Sequence, residues 1–411
     1  MLFKVYRQKL HSVSYILILK EVLILNDDMI ITHLGDDYEK YFGAVIPPIF
    51  MNSLHIQKSI EELALLDRFS EDSFCYGRES NPTVRIAEKK IAALEHGSMA
   101  LCFASGMAAT TSAIMSVCNA NDHIICIRNI YGPNRKFLEN YCKPKFNIST
   151  TYVKGDDIGE IESAIRPNTK LIMFESPTTA VFSICDISAI AELAKSREIK
   201  TLIDNSYCTP LFQKPLDMGI DFVMHTATKY LGGHSDIIAG VLVSKDTKLM
   251  QRIACNEREL YGGILGPMEG WLLIRGMRTL RVRLEAHQAA ALQVAEFLET
   301  SSKIRKVNYP GLATHPQHDL IMKQQKGSSG LLSFELDGTF EQSLKLCNSL
   351  EVFKTGVSWG GFESLKSMPF YRSSDSEAAW LGCARGCIRL HVGLEGIDNQ
   401  LGALDAALKK M

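Results

Sequence analysis

The residue whose setting most clearly indicates chemistry is Lys229. It stands in the stretch TATKY, directly after an apolar strand-like run and shortly before Gly232 and Gly233. A lysine at a strand end in a pocket can lose its proton and form a Schiff base with an aldehyde cofactor. The hydroxyls of Thr226 and Thr228 on either side are placed to bind an anion such as phosphate. For a lysine considered alone, a solvated surface position is the alternative.

Two further charged residues lie within or at the end of apolar runs. Asp204 ends the run Thr201–Ile203, where an aspartate ordinarily caps a helix or forms a turn. With a Schiff-base lysine one strand onward, Asp204 is also a candidate partner for a pyridinium nitrogen, and a protonated ring is an electron sink for a carbanion. Arg389 is embedded in the strand-like sequence CIRLHVG and needs a partner, either a substrate α-carboxylate or an internal salt bridge.

Three shorter signals could complete a cofactor site. Ser105-Gly106-Met107 lies between a strand and a helix, where glycine lets the backbone approach closely and helix N–H groups face a phosphate. Tyr131 could stack on a planar ring or simply pack in the core. Tyr76 and Arg78 lie on a polar loop and could reach a phosphate or be solvated. Neither a GxGxxG fingerprint nor a Walker P-loop occurs, which disfavours a dinucleotide or a nucleoside triphosphate.

Short apolar runs alternate with helix-like stretches from about Asn81 onward. The predicted helices are the stretch from Pro82 to just before Gly97, Met107–Val117 and Asp186–Lys195. The predicted strands are Met99–Ala104, His123–Ile127, Leu171–Phe174, Thr201–Ile203, Phe222–His225 and Ile238–Val243. This alternation predicts an α/β fold with a mainly parallel central sheet and helices on both faces. Ligands of such sheets bind beyond the carboxyl ends of the strands.

The pattern predicts four segments along the chain. They are an extension of unknown role over residues 1–28, an N-terminal arm over 29–80, a large cofactor-binding domain over 81–275 and a smaller α+β domain over 276–411. The last boundary falls at a long helical stretch, roughly Met277 to Leu298. In the extension, Lys20 and Glu21 interrupt a short apolar stretch, no cleavage site follows, and the stretch is too short to span a bilayer.

The composition is that of an ordinary globular enzyme. Charged residues make up 22% of the 411 and the formal net charge is −1, so we expect neither a nucleic-acid nor a membrane partner. The eleven cysteines are scattered without a CxxC pair, and several lie in apolar runs. We therefore expect reduced, buried thiols in a cytoplasmic protein, and no metal site.

Seven stretches in this order resemble the trans-sulfuration family of enzymes that use pyridoxal 5′-phosphate (PLP). The resemblance covers the chain from Met29 onward. The matching stretches are GAVIPPI (43–49), YGRESNPT (76–83), FASGMAA (103–109), ESP (175–177), IDNSY (203–207), TATKYLGGHSD (226–236) and SSGLLSFEL (328–336). It implies a fold-type I subunit, similar to aspartate aminotransferase, in a homotetramer of two catalytic dimers.

The resemblance also implies a role for each candidate residue. Lys229 would carry the cofactor and act in catalysis, and Asp204 would pair with the pyridine nitrogen. Tyr131 would stack on the ring and assist catalysis, while Gly106, Met107, Thr226 and Thr228 would hold the phosphate. Tyr76 and Arg78 would reach the phosphate of the neighbouring subunit. Arg389 would bind the substrate carboxylate with help from Ser358.

The reaction is predicted from residues around the substrate. Trp359, the YGPN stretch at Tyr131, and IRLHVGLE (388–395) resemble bacterial cystathionine β-lyases, whereas γ-acting members commonly have Leu in place of Trp359 and Ser near His391. The expected reaction is α,β-elimination of L-cystathionine to homocysteine, pyruvate and ammonia, a step of methionine biosynthesis. The NPT at 81–83 resembles γ-acting members, so a cystathionine γ-synthase or methionine γ-lyase is the alternative. A non-catalytic PLP-fold binding protein is an alternative of a different class.

Overall fold

The computed structural model describes residues 26–411. The predicted extension over 1–28 therefore lies outside the described residues, except for its last three. The described chain begins with helix Asp27–His33, whose first turn is capped by the side chain of Asn26. The predicted arm then runs mostly without regular structure to about residue 81, interrupted by the short helix Ile60–Ala64.

A seven-stranded sheet forms the centre of the larger part. Its strands are β1 (Met99–Phe103), β2 (His123–Ile127), β3 (Ser149–Val153), β4 (Thr169–Glu175), β5 (Lys200–Asp204), β6 (Phe222–His225) and β7 (Gly240–Ser244). The spatial order is β1-β7-β6-β5-β4-β2-β3. Strands β2 to β6 pair in parallel, while β7 runs antiparallel to both β6 and β1. The predicted mainly parallel sheet is confirmed.

Helices precede, connect and follow these strands. They are Pro82–Leu94, Gly106–Val117, Gly132–Phe137, Lys143–Phe146, Ile158–Ser163, Ile187–Ser196, Thr209–Phe212, Thr247–Ile253, Glu259–Tyr261 and Pro267–Arg278, with π-helical turns at Leu138–Cys142 and Ala254–Arg258 and a 3-10 turn at Pro215–Met218. Their apolar faces and the buried strands form one core. The chain belongs to the mixed α/β class, consistent with fold type I.

A second, five-stranded sheet lies in the C-terminal part. Its strands are β8 (Ile304–Asn308), β9 (Leu331–Leu336), β10 (Lys354–Thr355), β11 (Leu365–Ser367) and β12 (Ile388–His391), in the order β10-β11-β12-β9-β8. The helices around it are Leu280–Glu299, His318–Gln324, Phe340–Ser349, Asp375–Trp380 and Ile397–Lys409. A separate apolar core fills this part.

The prediction of one continuous helix over 277–298 is wrong in its first turn. One helix ends at Arg278, Thr279 leaves the helical path, and a new helix begins at Leu280. Along this second helix, Leu284 belongs to the first core and Ala291 to the second. The domain boundaries stay a prediction. Within residues 26–411, no helix combines the length and apolar character needed to cross a membrane.

Candidate active site

A cavity of about 110 Å³ opens where β4 and β5 end and just after β6. It is lined by Tyr131, Glu175, Pro177, Thr178, Thr179, Ala180, Phe182, Asp204, Ser206, Tyr207, Thr226, Lys229, Leu331, Val357, Trp359 and Arg389. These residues come from both parts of the chain. Parallel strands present their carboxyl ends at one edge of the sheet, so the strand-end residues meet there. The cavity therefore collects six of the predicted site residues.

Lys229 projects into this cavity from the turn that follows β6. Its backbone N–H donates to Thr226 O at 3.0 Å, and Gly233 N–H donates to its carbonyl at 2.7 Å. Its Nζ donates to Ser358 Oγ at 2.8 Å and lies 5.4 Å from the centre of the Trp359 ring. Burial lowers the pKa of Lys229 to about 8, with a contribution from the Arg389 charge. The amine is therefore much closer to its neutral, nucleophilic form than an exposed lysine.

Asp204 is held by the residue two positions further on. Ser206 donates to Asp204 Oδ1 from its N–H at 2.9 Å and from its hydroxyl at 2.5 Å. The N–H of Thr226 donates in turn to Ser206 Oγ at 2.6 Å, which ties the end of β5 to the end of β6. One carboxylate oxygen is thereby fixed, and the other has no protein donor among the described residues.

Glu175 is a site residue that the sequence reasoning missed. Its Oε1 accepts the N–H of Tyr131 at 2.6 Å, and its Oε2 accepts the N–H of Thr179 at 3.1 Å and the hydroxyl of Thr179 at 2.5 Å. Burial raises the pKa of Glu175 to about 8, and the neighbouring charge of Asp204 adds to this. A carboxylate directly after the apolar run LIMF was the signal that could have revealed it.

The predicted phosphate residues lie around the end of β6 and the start of a helix. Ser105 caps helix Gly106–Val117 by accepting the N–H of Ala108 at 3.1 Å, while the N–H groups of Gly106 and Met107 have no acceptor among the described residues. A Cβ on Gly106 would overlap the Thr226 hydroxyl, so glycine permits this close approach. The Thr228 hydroxyl instead exchanges hydrogen bonds with the backbone of Ala239, at 3.2 and 3.0 Å.

Arg389 reaches the cavity from β12. Its guanidinium donates to the carbonyl of Val357 at 3.1 Å and approaches that of Ser358 at 3.5 Å. Burial lowers the pKa of Arg389 to about 10. Among residues 26–411 no carboxylate forms a salt bridge with it, so the internal ion pair considered as its alternative role is absent from the described chain. A guanidinium in this position can still bind a carboxylate that enters the cavity.

Tyr76 and Arg78 lie outside the cavity. The guanidinium of Arg78 donates to Glu259 O at 3.3 Å and lies 5.5 Å from the Tyr76 ring centre. Both side chains are exposed, and Tyr76 keeps 44% of its surface accessible. Their predicted role concerns a neighbouring subunit and stays a prediction.

Comparison with known proteins identifies the family. The family described as "Cys/Met metabolism PLP-dependent enzyme" matches residues 28–409. The chain belongs to this family. It is therefore a PLP-dependent carbon–sulfur lyase of amino-acid metabolism, as the predicted trans-sulfuration resemblance implied.

The relatives carry both β-lyase and γ-lyase names. L-methionine gamma-lyase of Treponema denticola is 37% identical over 385 residues, which is 92% of this chain and 96% of the relative. Cystathionine beta-lyase of Lactococcus lactis is 37% identical over 385 residues, with 92% and 98% covered. Cystathionine beta-lyase of Coxiella burnetii is 36% identical, with 93% and 97% covered. Because the identities to the two groups are nearly equal, they do not show which carbon–sulfur bond this enzyme cleaves. Only the residues of the site bear on that choice.

The cavity fits the cofactor of this family. A buried carboxylate, a lysine with a lowered pKa and a half-buried tyrosine ring line one space. The glycine-opened helix beside Thr226 adds free backbone donors for a phosphate. These groups have the chemistry needed to hold a cationic ring nitrogen, an aldehyde, a flat ring and a phosphate. No group of three or more His, Cys, Asp or Glu residues suited to a metal occurs within 26–411.

Proposed function

We propose that this enzyme catalyses α,β-elimination of L-cystathionine to homocysteine, pyruvate and ammonia. The observation that carries the proposal is the position of Trp359, whose ring centre lies 5.4 Å from Lys229 Nζ. The indole packs against Tyr230, with ring centres 5.6 Å apart, while Ser358 accepts a hydrogen bond from the same amine. The amine is thus held on two sides.

A restrained amine suits elimination at Cβ better than at Cγ. Bound PLP supplies the electron sink for negative charge at Cα. Lys229 is then required to take the Cα proton and to deliver a proton to the sulfur leaving from the adjacent Cβ. Elimination at Cγ needs a further proton removed from Cβ, so the amine must travel further. Homocysteine leaves as a thiol of pKa roughly 8.5, for which little acid assistance is needed.

The remaining residues bind and orient. Asp204 would keep the ring nitrogen protonated with its unpaired carboxylate oxygen, and Tyr131 would stack on the ring. Gly106, Met107, Thr226 and Thr228 would hold the phosphate, with Thr228 acting after it releases Ala239, which both its hydroxyl and its backbone N–H bond. Arg389 would bind the substrate α-carboxylate. Ser358 would assist in binding this carboxylate, because its hydroxyl accepts a hydrogen bond from Lys229 and still has its own hydrogen to donate.

The NPT stretch, which favoured a γ-acting enzyme, has a local structural role. Asn81 Oδ1 accepts the N–H groups of Thr83 at 2.9 Å and Val84 at 3.4 Å, and Pro82 occupies the first turn of the helix. A helix start of this kind serves any member of the family. The stretch therefore does not oppose a β-lyase.

The test is product identification from L-cystathionine with the PLP-loaded enzyme. Pyruvate with homocysteine is expected, and Lys229→Ala is the matched control for background release. Formation of 2-oxobutyrate from cystathionine or from methionine would assign the γ-acting alternative. Failure of the protein to take up PLP would favour the non-catalytic alternative.

We also propose a cytoplasmic homotetramer made of two catalytic dimers. The exposed Tyr76 and Arg78 support this, since neither lines the cavity of its own chain. The arm also exposes the large apolar side chains Phe42, Val45 and Ile56, each more than 70% accessible, as expected of a surface that another subunit covers. Sedimentation of the PLP-loaded enzyme tests the assembly.

A further inference from the structure

His391 lies behind the cavity, on the same strand as Arg389. The two residues are two positions apart on β12, so their side chains leave the same face of the sheet. His391 is fully buried in an aromatic cluster, with ring centres 5.8 Å from Tyr230 and 5.1 Å from His287. It does not line the cavity, so it has no predicted contact with substrate.

The two side chains hold the segment 357–361 at its two ends. Arg389 donates to the carbonyls of Val357 and Ser358. His391 Nε2 lies 3.1 Å from the N–H of Gly360 and 3.0 Å from the carbonyl of Gly361. Between Val357 and Gly360 lie Ser358 and Trp359, whose side chains are the two that approach the Lys229 amine.

The turn anchored by His391 is packed directly on the backbone of the lysine. Gly360 has φ +83°, and a Cβ there would lie 2.7 Å from Tyr230 N and 2.9 Å from Lys229 C. No side chain can be accommodated at that position without moving the backbone. A shift of the Gly360 N–H would therefore displace the neighbouring indole relative to Lys229 Nζ.

The histidine has the protonation state that this role needs. Burial lowers the pKa of His391 to about 4, with further lowering by the Arg389 and Lys229 charges, so the ring is neutral near pH 7. A neutral ring can accept the Gly360 N–H at Nε2, or in the other tautomer donate to Gly361 O. Either bond ties β12 to the turn. A charged ring would place a further cation beside Arg389 and Lys229.

We propose that His391 is a positioning residue that sets β against γ specificity by holding Trp359 and Ser358 around the Lys229 amine. This inference rests on the function proposed above. Loss of the anchor lets the segment 357–361 move away and gives the amine greater reach. The enzyme then forms 2-oxobutyrate alongside pyruvate.

The test compares substitutions that keep or remove the acceptor. In His391→Gln the amide oxygen reaches the place of Nε2, whereas in His391→Asn a similar amide is too short to reach Gly360. His391→Leu removes the acceptor at comparable volume. His287→Leu is the matched control, since this buried histidine belongs to the same aromatic cluster but bonds Val392 O at 2.8 Å instead of the turn. All four are assayed as PLP-loaded enzymes on L-cystathionine.

The expected readout is the ratio of pyruvate to 2-oxobutyrate. It should fall about tenfold or more in His391→Leu and His391→Asn, because small displacements of positioning groups have large effects on a reaction step. It should stay near wild type in His391→Gln and His287→Leu. If His391→Leu does not fold, the Asn and Gln pair decides the matter.

Two results overturn the inference. They are a wild-type product ratio in His391→Asn, and an equal change in His287→Leu. The wild-type enzyme alone tests the proposed function. If the wild-type enzyme forms mainly 2-oxobutyrate, the β-lyase assignment fails. Even then, a difference in product ratio between His391→Asn and His391→Gln would show that His391 has a positioning role, and no difference would show that it has none.

Discussion

Glu175 and Asp204 are direct neighbours at the ends of two adjacent parallel strands, β4 and β5. Glu175 is buried and Asp204 is partly buried, and burial raises the pKa of each. Asp204 is in addition bonded by Ser206 and lies near Lys229, both of which favour its charged form. We infer that Asp204 carries the negative charge near pH 7, whereas Glu175, with a pKa of about 8, holds a proton in most molecules.

Replacing Glu175 should change how stability depends on pH. Its folded-state pKa of about 8 lies above the ordinary 4.5, so the folded protein binds more protons than the unfolded chain between these values. The free energy of unfolding therefore decreases as pH rises from 4.5 to about 8. In Glu175→Gln, urea unfolding of the PLP-free protein should show a flatter dependence over this interval. Glu296→Gln, at an exposed helix position, is the control, and an unchanged slope in Glu175→Gln would contradict the assignment.

Capture of PLP by the PLP-free protein should follow the protonation of Lys229. Burial lowers its pKa from 10.5 to about 8, and only the neutral amine attacks an aldehyde. The initial capture rate should rise with pH around a midpoint near 8. Because Arg389 contributes to the lowering, Arg389→Gln should move the midpoint to higher pH. A rate that is flat between pH 7 and 9 would refute the role of the amine's ionisation.

Lys229→Ala should abolish turnover and covalent attachment of the cofactor. The attachment is checked by borohydride reduction followed by peptide mass spectrometry. Lys90→Met is a suitable control, because burial also lowers the pKa of Lys90 to about 8, yet its amine bonds the carbonyl of Ile30 at 3.0 Å, outside the cavity. Label at Lys90 in the wild-type enzyme would show that a lowered pKa alone selects the lysine.

Asp204→Asn should reduce kcat by about a hundredfold, because it removes the charge that would pair with the ring nitrogen of bound PLP. The amide oxygen can still accept both bonds from Ser206, so the fold should be kept. Ser206→Ala leaves the charge and removes the hydroxyl donor, and a smaller loss is expected. The measurement is steady-state kinetics on cystathionine, with the PLP content of each variant determined alongside. An equal loss of kcat in both variants would show that the charge is unimportant.

Arg78→Ala and Lys229→Ala should complement each other when assembled together. Each variant alone is expected to be inactive. If Arg78 serves the neighbouring subunit, a mixed dimer contains one site with neither substitution. Co-expression with two affinity tags and isolation of the doubly tagged species should restore a measurable fraction of activity. If verified mixed assemblies recover no activity, Arg78 does not act in the site of the neighbouring subunit.

The elements and much of the candidate site were predictable because local chemistry encodes them. Apolar runs marked six of the seven strands of the large sheet, and polar residues at their ends marked Asp204 and Lys229. Strand β3 was missed because its residues, STTYV, are only half buried at the sheet edge and lack the apolar run of the central strands. The helix break was missed because Thr279 itself is neither proline nor glycine, and the residues on both sides of it are compatible with a helix.

The sequence by itself determined the family and its PLP cofactor, and it predicted the cofactor residues because lysine, aspartate and glycine are recognisable at strand or helix ends. Only the tertiary structure decided what surrounds the amine. Ser358 meets Lys229 from 129 residues away, and Glu175 and His391 act through neighbours that are remote in sequence. Such contacts depend on how segments distant in sequence pack together, and no local pattern of residues records that packing.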